Sequence, residues 1–152
     1  MRQWLQGVLL VLLMAAQWPV HAEALLMARS RLPFAESMLV LQDAIREQGY
    51  VLSRVQRVDI GLTTFGFKTD KYRVVFFGRA DQVRHLSQHH PELVPYLPLK
   101  IAIFAEAGET ILVATSPERY TDMFPDPELA PVFGEWSRDL HAIFDRVRTA
   151  EE

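Results

Sequence analysis

The stretch LPLKIAIFAEAGETILVATSP, from Leu97 to Pro117, decides the fold. Leu99 to Ala105 and Thr110 to Thr115 are two short, strongly apolar runs, and Glu106-Ala107-Gly108-Glu109 lies between them. Two such runs joined by a short link containing glycine read as a β-hairpin. After it, Ser116-Pro117-Glu118 opens a short turn or helix through Met123. Leu129, Phe133, Trp136, Leu140, Ile143 and Val147 then recur at alternating steps of four and three. That spacing puts one apolar stripe on a long C-terminal helix, with Pro127 and Pro131 near its start.

The same reading extends toward the N-terminus. Pro91, Pro95 and Pro98 make Pro91–Pro98 a stiff connector without regular structure. Asp81–His90 reads as a short helix with Val83 and Leu86 inward. Tyr72–Phe77 is a strong strand stopped by Gly78, and Gly61–Gly66 is a turn region. Tyr50–Asp59, rich in β-branched residues, reads as another strand. Pro33 opens a helix whose stripe is Phe34, Met38, Leu41 and Ile45, and Gly49 closes it. Ala24–Arg31 is a candidate first strand. The resulting order is β-α-β-β-α-β-β-α, an α+β domain of a layered sheet with helices.

The N-terminus reads as an address. Arg2 precedes the uncharged run GVLLVLLMAA at 7–16, and Val20-His21-Ala22 offers a cleavage triplet. A secretory signal peptide of residues 1–22 is expected, cleaved after Ala22 and routed by a Sec-type pathway. Its apolar core is far below the ~20 residues of a bilayer span, so no stable membrane insertion is expected after cleavage. The remaining chain, 23–152, is then a single domain. Losing Arg2 takes the 16 basic residues to 15 against 19 acids, a formal charge of −4. Such a balance does not ask for nucleic acid. The absence of cysteine excludes disulfides, thiolate nucleophiles, iron–sulfur clusters and Cys-type zinc sites. Export without disulfides fits a bacterial periplasm better than eukaryotic secretion.

From about Leu32 to Val147 the chain resembles one family. The carrying segments are Phe34 through Gly49-Tyr50-Val51, Tyr72-Arg73-Val74-Val75-Phe76-Phe77-Gly78, Leu97-Pro98-Leu99-Lys100-Ile101-Ala102-Ile103, and Thr110 through Ser116-Pro117. These are similar to the domain of unknown function family 302. Members often carry Asn-Pro after the glycine that ends the strand, and here Gly78 is followed by Arg79-Ala80. The resemblance implies a small α+β fold and no established activity, so no functional residue transfers.

Two side-chain groups could carry chemistry. His85 and His89, four apart, share a helix face, with His90 adjacent, and such a pair can contribute to a zinc or copper site. The ordinary reading is a solvated face, with His90 ending the helix before Pro91, and no HExxH pattern is present. Lys68, Lys71 and Arg73 are a candidate anion site, since Lys71 and Arg73 share a strand face. Their ordinary reading is edge charge that discourages aggregation. No catalytic residue stands out: the serines lack a G-x-S-x-G setting, and the glycines form no phosphate loop. No cofactor is expected.

The strands hold a surplus of apolar side chains. Leu99, Ile101 and Ile103 oppose Ala102 and Phe104; Ile111 and Val113 oppose Leu112 and Ala114; Val75 and Phe77 oppose Tyr72, Val74 and Phe76. A sheet with one wet face should alternate apolar with polar. The second face therefore needs a cover: the C-terminal helix first, a second subunit next, an apolar ligand third. The functional expectation is an exported periplasmic, non-enzymatic module that binds a ligand or partner, as a homodimer. The alternative is a metal-binding or small catalytic protein using His85, His89 and His90.

Overall fold

In a computed structural model, residues 24–150 are described. The expected leader, residues 1–22, lies outside them. Five strands form one antiparallel sheet: β1 (Leu25–Ser30), β2 (Val51–Arg57), β3 (Tyr72–Gly78), β4 (Leu99–Glu106) and β5 (Glu109–Thr115). Their spatial order is β1-β5-β4-β3-β2. The expected hairpin is β4–β5, paired from Ala102↔Val113 to Glu106↔Glu109. Its two-residue loop is Ala107-Gly108, both with positive φ, at 50° and 84°. Two positive φ values give a turn whose twist matches the flanking strands, and glycine supplies one without steric cost.

Five α-helices join the strands: α1 (Phe34–Glu47), α2 (Val58–Thr64), α3 (Ala80–His89), α4 (Glu118–Met123) and α5 (Ala130–Arg148). Helix α1 ends as its sequence suggests. Gly49 sits at φ +77°, its N–H donates to the Arg46 carbonyl, and that of Tyr50 donates to the Ile45 carbonyl. Helix α5 buries the expected stripe from Phe133 to Val147.

Three local expectations need correction. The strand expected over Tyr50–Asp59 ends at Arg57, and the turn region after it is helix α2. None of the residues of α2 is buried, so no apolar stripe could announce it. The Pro91–Pro98 connector is instead a 3-10 helix over Pro91–Tyr96. Pro91 stands at its first position, where a missing N–H costs nothing, and Leu93 anchors it to the core. The Leu97–Pro98 peptide that follows is cis.

The largest correction concerns the cover of the sheet. Register places Val75 beside Ile101, Phe77 beside Leu99, and Ile103 beside Leu112, all on one face. Leu41, Ile45, Phe133, Trp136, Leu140 and Ile143 join these in one core cluster. Helices α1 and α5 therefore cover the same face, and the C-terminal helix is not the cover of the second one. Stability rests on that inner layer. Ile101→Ala is expected to cost about 2–5 kcal/mol by the cavity it leaves. Phe65→Ala, at a residue 80% exposed, should stay within about 0.5 kcal/mol. Denaturant melts of the two variants against the parent check both values.

Candidate functional site

The other face of the sheet is built in rows by the strand register. The first row is Arg54, Phe76 and Lys100, side by side on β2, β3 and β4. The second crosses the whole sheet as Gln56, Val74, Ala102, Val113 and Met27. The third is Tyr72, Phe104, Ile111 and Arg29. Val74, Phe76, Ala102, Phe104 and Val113 are only half-buried, and Met27 is 62% exposed. Tyr72 and Phe104 meet edge to face at 5.9 Å. Ile111 is buried, yet it does not belong to the core cluster. A shallow depression of about 220 Å³ opens between Tyr72, Val74, Lys100, Ala102 and Val113.

Charge on this face is segregated along the strands. Lys100 stands near the start of β4 and Glu106 at its end, on the same face and six residues apart. Six residues of strand span about 20 Å. Arg54 shares the Lys100 row, while Glu109 pairs with Glu106 in the hairpin and binds Arg29 at 2.7 Å. Among the described residues, no ion pair engages Arg54, Lys100 or Glu106. The face thus has a basic end, an apolar middle and an acidic end.

A second polar assembly lies on the helical side. Arg79, just before α3, donates to Asp139 at 3.0 Å, to Glu135 at 3.0 Å and to the Gln48 carbonyl at 2.8 Å. Its guanidinium lies 4.0 Å from the centre of the Tyr50 ring. The Tyr50 hydroxyl donates to Asp139 at 2.6 Å, and Trp136 Nε1 donates to Gln82 at 2.9 Å. Burial and then Asp139, by hydrogen bond and charge, push the Tyr50 pKa far above its usual value. Burial opposes the charge on Arg79, but Tyr50, Asp139 and Glu135 outweigh it and hold its pKa above normal. Every partner here is internal, so the assembly is a clamp between the end of α1, the start of α3 and the middle of α5. A sequence signal existed: Glu135 and Asp139 are four apart on α5, and Arg79 directly follows the glycine that ends β3. Nothing local, however, links residue 79 to residue 139.

The anticipated site residues are placed as follows. Lys68 is exposed in the loop before β3. Lys71 and Arg73 come together over the Phe34 ring, at 5.8 and 5.7 Å from its centre. Arg73 faces the helical side, where it binds Asp59 of α2. The Arg73 hydrogen bond is the main reason the Asp59 carboxyl is held below its ordinary pKa, against its own burial. An anion at this point would compete with Asp59. His85 and His89 stack at 4.3 Å on the exposed side of α3, and His89 Nδ1 engages the His85 carbonyl at 2.9 Å. His90 is buried and turned elsewhere, with Glu92 and Asp126 at 3.4 and 3.8 Å from its Nδ1. Among the described residues, no group of three His, Cys, Asp or Glu side chains is placed to hold a metal ion.

Comparison with known proteins follows the fold. Residues 27–147 match the family described as Domain of unknown function DUF302. A crystal structure of an uncharacterized conserved DUF302 protein from Bacillus stearothermophilus superposes with a TM-score of 0.75. It is 18% identical, and the match covers 84% of this chain and 100% of that one. No curated protein matches the chain.

The Arg73–Asp59 pair carries a pH signature. A carboxyl with a depressed folded pKa stabilises above its unfolded value and loses that contribution as pH falls through the folded value. The gap in melting temperature between the parent and Asp59→Asn is expected to be full at pH 7. It should shrink as pH falls below 3.8, the ordinary carboxyl value. A gap of constant size from pH 7 to pH 2.5 would contradict the assignment.

Proposed function

Because the chain belongs to the DUF302 family, which brings a fold and no established activity, we propose its role from a surface that the described helices leave open: it is an exported, periplasmic, non-enzymatic binding domain that self-associates through the outer sheet face. The observation that carries this is the apolar middle row from Gln56 to Met27, set on a face that the helices leave uncovered. A broad apolar patch rimmed by polar groups is the usual signature of a contact surface. Burying its half-open side chains would add apolar transfer energy at about 25 cal/mol per Å².

Charge placement favours a second copy as the occupant. A two-fold interface puts the same patch on both subunits, so it must be self-complementary. A two-fold axis lying between the sheets and crossing β4 near Ile103 reverses the strand direction of one copy. Lys100 of one protomer then lies over Glu106 of its partner, and the reverse contact repeats. β4 is the middle strand, so this axis also centres the apolar row. Sheets facing one another in this way pack at about 10 Å with nearly aligned strands.

Export supports the setting: the N-terminal pattern is a leader ending at Ala22, and periplasmic material should begin at Glu23 by N-terminal sequencing. Sedimentation equilibrium tests the association. The parent is expected to be a dimer, and Val74→Glu should be monomeric. Lys100→Glu and Glu106→Lys alone should each weaken association about ten-fold at low salt, since each turns two rim pairs repulsive. The double exchange Lys100→Glu/Glu106→Lys should restore it. A monomeric parent, or a double variant no better than the singles, would refute the proposal.

A further inference from the structure

Beside the open face lies a groove with a different character. It has a volume of about 390 Å³ and is walled by Val51, Gly78, Ala80, Val83 and Pro98, with Arg84 at its rim. Its position follows from the fold. Val51 and Gly78 are paired at the edge of the sheet, and α3 starts directly after Gly78, carrying Ala80, Val83 and Arg84 across the end of the strands. Pro98 closes the other side at the start of β4.

Gly78 lets α3 and Pro98 close tightly on the end of β3. A Cβ there would stand 2.9 Å from Val83 Cγ2 and 3.6 Å from Pro98 Cβ, within the wall itself. The strand therefore ends on a glycine that allows the groove walls this close approach. Val51 is 66% exposed beside the groove, apolar surface that a ligand there would shelter. The volume lies in the range of small-molecule sites, about 300–1,000 Å³.

Charge around the groove has one dominant sign. Arg84 meets only Asp81, in a pair where the two side chains are 65% and 95% exposed. Such a wet pair is worth little and yields easily to a better anion. Arg54 and Lys100, in the next row of the same sheet, add two cations without ion-pair partners among the described residues. The chain as a whole carries a formal charge of −3, so a positive rim here is against its own average.

We propose that this groove binds a small amphipathic carboxylate, its apolar body against Val51, Val83 and Pro98 and its carboxylate on Arg84. The guanidinium offers two parallel N–H donors, which fit a carboxylate better than a hydroxyl or an amine. An alkyl ammonium of the same length would face the Arg84 guanidinium, with only the wet Asp81 carboxylate, 95% exposed, to attract it. The site does not depend on self-association, because its walls come from one chain.

Isothermal titration of the full chain with octanoate, octanol and octylammonium tests the proposal. Octanoate is expected to bind, with octanol about ten-fold weaker and octylammonium giving no saturable heat. Arg84→Gln should lower octanoate affinity about ten-fold, the size of a lost charge-assisted contact, and leave octanol unchanged. Ala80→Phe, at an exposed helix position, fills the groove and should abolish both. Val74→Glu should keep octanoate binding, and loss there would move the ligand to the apolar middle of the sheet and overturn this placement. Equal binding of octanoate and octanol, binding that survives Ala80→Phe, or no binding by the parent also overturns it.

Discussion

The two long helices, α1 and α5, pack on the same side of the sheet, and this constraint organises the rest of the molecule. β1 and β5 pair along one half, β2 and β3 along the other, and β4 joins them. Helix α1 links the two outer strands and α5 follows the sheet, so both converge on the face of Val75, Ile101 and Leu112. That face needs no other cover. The opposite face keeps its apolar rows, and among the described residues no helix covers them. That imbalance is the observation on which the proposed binding role rests.

The clamp around Arg79 keeps the helical layer in register with the sheet. Arg79 sits between Gly78 and α3, within reach of the end of α1 and the acidic pair of α5. Three helices that have no sequence proximity are thus tied at one point, next to the edge-on contact of Tyr50 and Phe77 at 5.3 Å. The same point fixes where α3 leaves the sheet, and so fixes the wall of the groove at Val83 and Arg84. A structural ion cluster and the groove share one anchor. The pairing of Arg73 with Asp59 does similar work for α2, an element without buried side chains of its own.

Much of the architecture was legible because it is local. The hairpin at Leu97–Pro117, the strand at Tyr72, the glycine end of α1 and the stripe of α5 each obey periods or turn rules readable within some twenty residues. Helix α2 was not legible, since its support comes from Arg73 across the chain rather than from a stripe. The 3-10 helix after His90 was hidden by prolines that tolerate a first helical turn but suggest none. For the candidate surfaces the result was uneven. The apolar excess on the strands was visible, while the two groups chosen for chemistry lie elsewhere. Lys71 and Arg73 are spent on Phe34 and Asp59, and His85 and His89 stack with each other.

By itself, then, the sequence determined most of the strands and the long helices, the α+β class, the absence of disulfides, and the fact that both sheet faces are apolar. Side-chain periodicity and turn chemistry act over short range, and they are written in neighbouring residues. Only the tertiary structure decided which face α1 and α5 would cover, which cations would be paired with an internal partner, and which would be left facing outward. Those outcomes depend on pairs such as Arg79 with Asp139 and Lys100 with Phe76. Such pairs are brought together by strand order and helix direction, and no spacing along the chain encodes them.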